Sequence, residues 1–172
     1  LQASDKLQAK AITEYAINDL GYKNIAVMFQ NDDFGAGGKD VVVETLKDAG
    51  IEPLAVEAFD SSATDMSAQL LKIKDLNPEA IIMWTMYGCG ATIAKQCDQL
   101  GIDCDLMGGG GLTNAKLYEL GGESAVGILN TQTFFPDKEK ASETAGAFID
   151  AYETEYGETP DSNAAMSYDA MM

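Results

Sequence analysis

The sequence has no histidine and no arginine. Its eleven cations are all lysine, set against 28 aspartates and glutamates, for a formal charge of −17 over 172 residues. Without imidazole there is no histidine general base, no Ser-His or Cys-His nucleophile pair, and no histidine ligand for zinc, copper or iron. Without guanidinium there is no bidentate clamp on phosphate or carboxylate and no arginine finger. So acidic a surface repels a nucleic-acid backbone and gains nothing from an anionic membrane leaflet, so nucleic acid is excluded as a partner. Small, weakly charged or cationic partners remain. Long apolar runs are also missing: Ala80 to Trp84 falls far short of the roughly 20 residues that cross a bilayer as a helix.

What is present is globular, with 46% hydrophobic and 23% charged residues. Length predicts one domain. The chain opens Leu1-Gln2-Ala3-Ser4-Asp5 without methionine and stops at Met171-Met172 inside a predicted helix. Both ends look cut, so a piece of a longer protein is expected.

Short apolar runs alternate with amphipathic stretches, the pattern of βα units. Ile12, Tyr15, Ala16 and Leu20 fall on one helical face that Gly21 stops. Ile25 to Phe29 is apolar throughout, as in a strand covered on both faces of a parallel sheet. A turn over Gln30 to Phe34 and a glycine-rich entry, Gly35 to Gly38, lead to a helix carrying Val42, Val43 and Leu46. Strands are predicted near 51–59, over 80–84, over 104–107 and over 126–134. Further helices carry Met66, Leu70, Ile73 and Leu76, with Asp65 as N-cap, and run over about 90–100, 114–120, 142–156 and from 162 onward. The fold class is α/β, a three-layer sandwich with a mainly parallel sheet and helices on both faces. In such sheets ligands sit outside the carboxyl ends of the strands. That rule selects three loops, 31–38, 85–90 and 108–113.

The first loop lacks the spacing of a nucleotide site. A dinucleotide fingerprint running from Gly35 and Gly37 needs a further glycine where Asp40 stands, and a P-loop needs glycine and Ser/Thr where Asp33 and Asp40 stand. Asp32, Asp33 and Asp65 follow no calcium-loop pattern and read as loop carboxylates and caps. Lys39, Lys95 and Lys116 are scattered and read as surface residues. No metal and no cofactor is expected. The run Gly108 to Gly111 offers only backbone and space: either a turn requiring positive φ, or a floor against which a ligand lies close to main chain. Phe34, Trp84, Met86 and Tyr87 gather at the other two loops, either as core edge or as the apolar lining of a pocket. Cys89, Cys97 and Cys104 make no metal spacing. Cys97 and Cys104 flank the turn at Gly101 and are either bridged or buried as thiols.

Several segments carry a family likeness. Ser4-Asp5 with Gln8-Ala9, Leu20 to Val27, Asn31-Asp32-Asp33-Phe34-Gly35 and Asp65 to Leu70 resemble the branched-chain amino-acid-binding proteins, type I periplasmic solute-binding proteins of ABC transporters. Pro78 to Ile81, Lys95-Gln96, Leu100-Gly101-Ile102, Tyr156-Gly157 with Pro160-Asp161, and Ser167 to Ala170 continue the likeness in order. The resemblance implies a two-lobed clamp that is not an enzyme, closes on a small solute and docks on an ABC permease, in the periplasm or as a membrane-anchored extracellular lipoprotein. A sensory domain of the same fold is the alternative. It further implies that residues 1–132 are the second lobe and 133–172 a segment returning toward an absent first lobe. Phe34 matches an aromatic residue that packs on the ligand. Met86 and Tyr87 fall where another ligand-facing aromatic is expected, with Tyr87 favoured. Gly110 stands where amino-acid binders place an acid that pairs with the ligand's ammonium, so a small apolar or aromatic carboxylate or an amide is expected first, and a branched-chain amino acid second. The apolar face of Phe148, Ile149 and Tyr152 is expected to fold back or to pair with a second chain as a dimer.

Overall fold

The computed structural model describes residues 4–171, so residues 1–3 and 172, at the outer ends of the two expected segments, lie outside the described residues. The chain divides into two compact units, which meet in sequence between Thr131 and Gln132.

The unit of residues 4–131 is built on five parallel strands: β1 (Ile25–Gln30), β2 (Val56–Phe59), β3 (Ala80–Trp84), β4 (Asp105–Gly108) and β5 (Leu129–Asn130), in the order β2-β1-β3-β4-β5. β1 and β3 are central, which is why they are apolar on both faces. Ala26, Met28, Ile81 and Met83 enter one buried cluster, and Ile25, Val27, Ile82 and Trp84 the other. Helices α1 (Asp5–Glu14) and α2 (Asp33–Asp48) cover the second face through Ala9, Ile12, Val42 and Leu46. Helices α3 (Ser67–Lys74), α4 (Tyr87–Leu100) and α5 (Lys116–Gly121) cover the first through Leu70, Ile73, Ile93 and Leu117.

Several boundaries differ from expectation for physical reasons. α1 passes into a π-helical stretch, Tyr15–Asp19, and Tyr15 is exposed; Gln8, Ala9, Ile12 and Ala16 make the buried face instead. The glycines of 35–38 lie inside α2, not before it. β2 begins at Val56. β5 shrinks to two residues, because Gly127 takes a left-handed φ of 92° and Val126 is exposed. Asp65 precedes the N-cap Met66, yet its carboxylate accepts from the Ser67 hydroxyl and, at 2.9 Å, from the Ser67 N–H, and these bonds, the hydroxyl one first, hold it below the usual range.

At the amino-terminal end of the sheet, Glu79 accepts the backbone N–H groups of Lys23 and Asn24, both at 2.8 Å, and these bonds depress its pKa. A depressed carboxylate contributes stability that is present above its unfolded value and lost as pH falls through the folded one. Glu79→Gln should therefore lower the urea midpoint at pH 7, and the difference from wild type should begin to shrink as pH falls below the ordinary glutamate value of about 4.3 and vanish below the depressed one. A difference independent of pH would contradict this.

The unit of residues 132–171 contains α6 (Glu143–Tyr156) and α7 (Ser162–Met171). Ser142 caps α6 through the Ala145 N–H, and Gly157 ends it in a left-handed conformation. Ile149 is fully buried, and Phe148 packs edge-on against Phe134 (centroids 5.8 Å) and tilted against Tyr168 (4.9 Å). The aromatic face thus folds back within its own unit.

Candidate functional site

The strand order reverses between β1 and β3, and the loops leaving their carboxyl ends flank that switch point, where open α/β sheets bind ligands. Asp32 begins the first loop in an extended conformation. Its Oδ1 accepts the Gly35 N–H at 2.8 Å and caps α2, while Oδ2 accepts the Gln30 side-chain amide. These bonds, the Gly35 one first, hold the carboxyl below its usual range, so Asp32 is a charged cap and not a proton donor. Gln30, buried at the end of β1, also accepts the Thr85 hydroxyl at 3.2 Å, which ties the first loop to the second across the switch point.

Phe34 follows, half-buried, with its ring 6.2 Å from that of Trp84 and inclined by 39°. Trp84 is fully buried, and its indole N–H has no hydrogen-bond partner. Met86, just before α4, is 47% exposed. Tyr87 opens α4 and packs partly against the buried cluster opposite that of Phe34. Phe34 and Tyr87 thus sit on opposite faces of the sheet at the same end.

The glycine run completes the site. None of Gly108, Gly109, Gly110 and Gly111 has positive φ, so a turn requiring left-handed glycine is ruled out. Close approach is the reason instead. A Cβ on Gly109 would lie 2.4 Å from the Trp84 ring, and one on Gly111 would lie 2.5 Å from the Thr85 carbonyl oxygen and 3.2 Å from the Phe34 ring. The run therefore comes against both other loops through Trp84, Thr85 and Phe34. Several of its backbone groups are already engaged: the Gly108, Gly109 and Gly110 carbonyls accept from Thr131, Leu112 and Thr113, and the Gly110 N–H donates to Gln8 Oε1 at 2.8 Å. A ligand here meets shape and aromatic edges, with the Gly110 N–H already committed to Gln8.

Gln8, Gln30 and Thr85 are polar, buried and central to this arrangement, and sequence reasoning missed their part in it. The signal for Gln8 was its register with Ile12 and Ala16, a polar residue on an apolar helical stripe.

Elsewhere the residues are structural. Lys39 pairs with Asp40 and lies 5.4 Å over the Phe29 ring. Among the described residues no group of three Cys, Asp or Glu side chains is disposed to hold a metal. The three cysteines are thiols, so the bridged alternative for Cys97 and Cys104 is not realised. Both line a cavity of about 300 Å³ near the start of β4, away from the loops, and burial pushes Cys97 up to about 12 and Cys104 to about 11. With so little thiolate, neither should be alkylated by iodoacetamide at pH 8 in the folded chain, whereas unfolding should release three reactive thiols to mass spectrometry. Rapid native alkylation of Cys97 would contradict the structure.

A sequence model of the periplasmic binding protein family matches residues 1–172. The crystal structure of the leucine-binding protein LivK of Thermotoga maritima is 31% identical with a TM-score of 0.89, over 98% of this chain and 48% of that one. The branched-chain amino acid transporter substrate-binding protein LivJ of Streptococcus pneumoniae, solved in complex with isoleucine, is 26% identical with a TM-score of 0.83, over 97% of this chain and 47% of that one. Leu/Ile/Val-binding protein homolog 3 of Brucella melitensis is 25% identical over 141 residues, 82% of this chain and 38% of its own length. The chain spans less than half the length of these relatives.

Proposed function

The chain belongs to the type I periplasmic binding proteins of the branched-chain amino-acid family, solute-binding proteins and not enzymes, and from that premise we propose that it is part of the solute-binding component of an ABC uptake transporter. In this reading residues 1–132 are the second lobe of a two-lobed clamp, and residues 133–172 return toward the first. The solute is held at the carboxyl ends of β1, β3 and β4 by Phe34, Met86, Tyr87 and the main chain at Gly110. The clamp works in the periplasm, or outside the cell on a lipid anchor, and delivers its solute to a permease.

The observation that carries this reading is the likeness to LivK along 98% of the chain, at 31% identity. The three loops supply its chemistry. Phe34 and Tyr87 offer two aromatic edges on opposite faces at one end of the sheet, a lining for an apolar side chain.

Gly110 bears on which solute. With no carboxylate at 110 there is nothing at that position to neutralise a buried ammonium group, whose desolvation is costly without a partner. A small apolar or aromatic carboxylate, or an amide, is the first expectation, and a branched-chain amino acid, as in LivJ, the second. Mass spectrometry of solute co-purified with the intact protein tests this. A bound carboxylate or amide lacking an α-ammonium is the expected result, bound leucine or isoleucine would overturn the order of preference, and a nucleotide or metal would overturn the reading itself.

A further inference from the structure

Gln8 lies in α1, remote in sequence from every loop of the site, yet its side chain reaches two of the segments that shape it. Its Oε1 accepts the Gly110 N–H at 2.8 Å and the Thr131 hydroxyl at 3.2 Å. The Gly110 N–H can only donate, which fixes that atom as the carboxamide oxygen, since the amide nitrogen accepts nothing. Thr131 in turn donates its own N–H to the Gly108 carbonyl at 3.1 Å, and Asn130 Nδ2 donates to Thr113 Oγ1 at 3.2 Å. The result is a closed ring of hydrogen bonds running from Gln8 to Gly110, along the loop to Gly108, across to Thr131 and back to Gln8. It joins the helix that opens the 4–131 unit, the loop after β4, and the last residue of that unit.

The fit is close. Gln8 is only 4% exposed, and a Cβ on Gly110 would lie 2.7 Å from its Oε1. The carboxamide therefore fills the space that any side chain at position 110 would need. Glycine at 110 and glutamine at 8 are a matched pair, and an acid at 110 would first have to displace Gln8. Inside a protein a buried amide hydrogen-bonded on its acceptor side is held firmly, because leaving the part-buried Gly110 N–H without a partner carries a desolvation cost.

We infer that Gln8 is a positioning residue of the solute site: its carboxamide sets the main chain at Gly110 and couples that loop to Thr131, where one unit of the chain gives way to the other. As a statement about the solute site this rests on the function proposed above; as a statement about Gly110 it stands alone, and the two are tested separately.

The first arm is amide hydrogen exchange on the solute-free 172-residue chain, with Val27 and Met28 in β1 as reference amides. Gln8→Met keeps length and volume but removes the acceptor, and Gln8→Glu keeps an oxygen that takes the same two donors. The Gly110 amide should exchange about tenfold faster or more in Gln8→Met and within about threefold of wild type in Gln8→Glu, with the reference amides unchanged in both. Unchanged exchange at Gly110 in Gln8→Met, or no rescue by Gln8→Glu, overturns the inference. If Gln8→Met loses β1 protection and so fails to fold, Gln8→Asn, one methylene too short to reach, is read by the same criteria.

The second arm is calorimetric titration of the intact protein with isovalerate, a small apolar carboxylate of the class expected first, and with L-isoleucine, of the class expected second, and it is read with whichever binds the wild type. Gln8→Met should weaken binding about tenfold and Gln8→Glu should restore it, and equal affinity in all three proteins overturns the role at the site. Binding of L-isoleucine but not isovalerate by the wild type overturns the order of solute preference, binding of neither overturns both as solutes, and in each case the exchange arm decides the role of Gln8 at Gly110.

Discussion

Trp84→Ala should destabilise the 4–131 unit by about 3–5 kcal/mol, the range for removing a large buried aromatic side chain. The indole is fully buried at the end of β3, and two glycines close on it: a Cβ at Gly38 would lie 2.2 Å from its nitrogen and one at Gly109 2.4 Å from its six-membered ring. Those backbones are already in contact with the ring, and little else is free to fill the void. Trp84→Phe should cost much less, about 2 kcal/mol at most. It removes volume, but it also removes an N–H that is buried without a partner, and such a group carries a penalty of about 1–3 kcal/mol. Urea denaturation followed by circular dichroism measures both. A Phe variant as unstable as the Ala variant would show that the orphan N–H carries no penalty. Since Phe34 leans on this ring at 6.2 Å, Trp84→Ala should also loosen the first loop of the site.

The second large effect is at Gly35. A Cβ there would lie 1.8 Å from the carbonyl oxygen of Gln30 and 2.8 Å from its nitrogen, both backbone atoms, so α2 would have to lift from the end of β1. Overpacking commonly costs about 1–3 kcal/mol and occasionally more, and a clash with backbone belongs at the top of that range. Gly35→Ala should therefore lose about 3 kcal/mol or more. Gly37, two residues on in the same helix, has nothing within 4 Å of a Cβ position, so Gly37→Ala should gain about 0.5–1 kcal/mol from helix propensity. The single tryptophan lies in this unit, so its fluorescence follows both unfolding transitions. Equal and small effects at the two positions would contradict the close approach of α2 to β1.

These two sites show what was legible in the sequence. β1 and β3 were, because a strand covered on both faces has no choice but to be apolar throughout. Their carboxyl ends then located the loops of the site. The start of α2 was not, because Gly35 and Gly38 look like breakers in sequence and are needed for contact in space, against Gln30 and Trp84. The expected strand over 126–134 failed for the opposite reason. Its apolar residues suggested burial, whereas Val126 is exposed and only Leu129 and Asn130 pair with β4.

The candidate site was legible by the position of its loops more than by their geometry. Phe34 and the glycine run meet as neighbours, but Tyr87 lies on the other face of the sheet. The polar residues that join the loops, Gln30 to Thr85 and Gln8 to Gly110, are linked over sequence separations of 55 and 102 residues. No spacing rule reaches across such distances. The thiols illustrate the same limit: proximity around the turn at Gly101 allowed a bridge, and the structure keeps both as thiols lining one cavity, Cys97 buried and Cys104 half-buried.

The central claim is that solute is held at the carboxyl ends of β1, β3 and β4. Amide hydrogen exchange of the intact protein, with and without its co-purified solute, tests it most directly. Within this chain, added protection should fall on residues 31–38, 85–90 and 108–113. Protection confined instead to the cavity of Cys97 and Cys104 near the start of β4, with those three loops unchanged, would contradict the account.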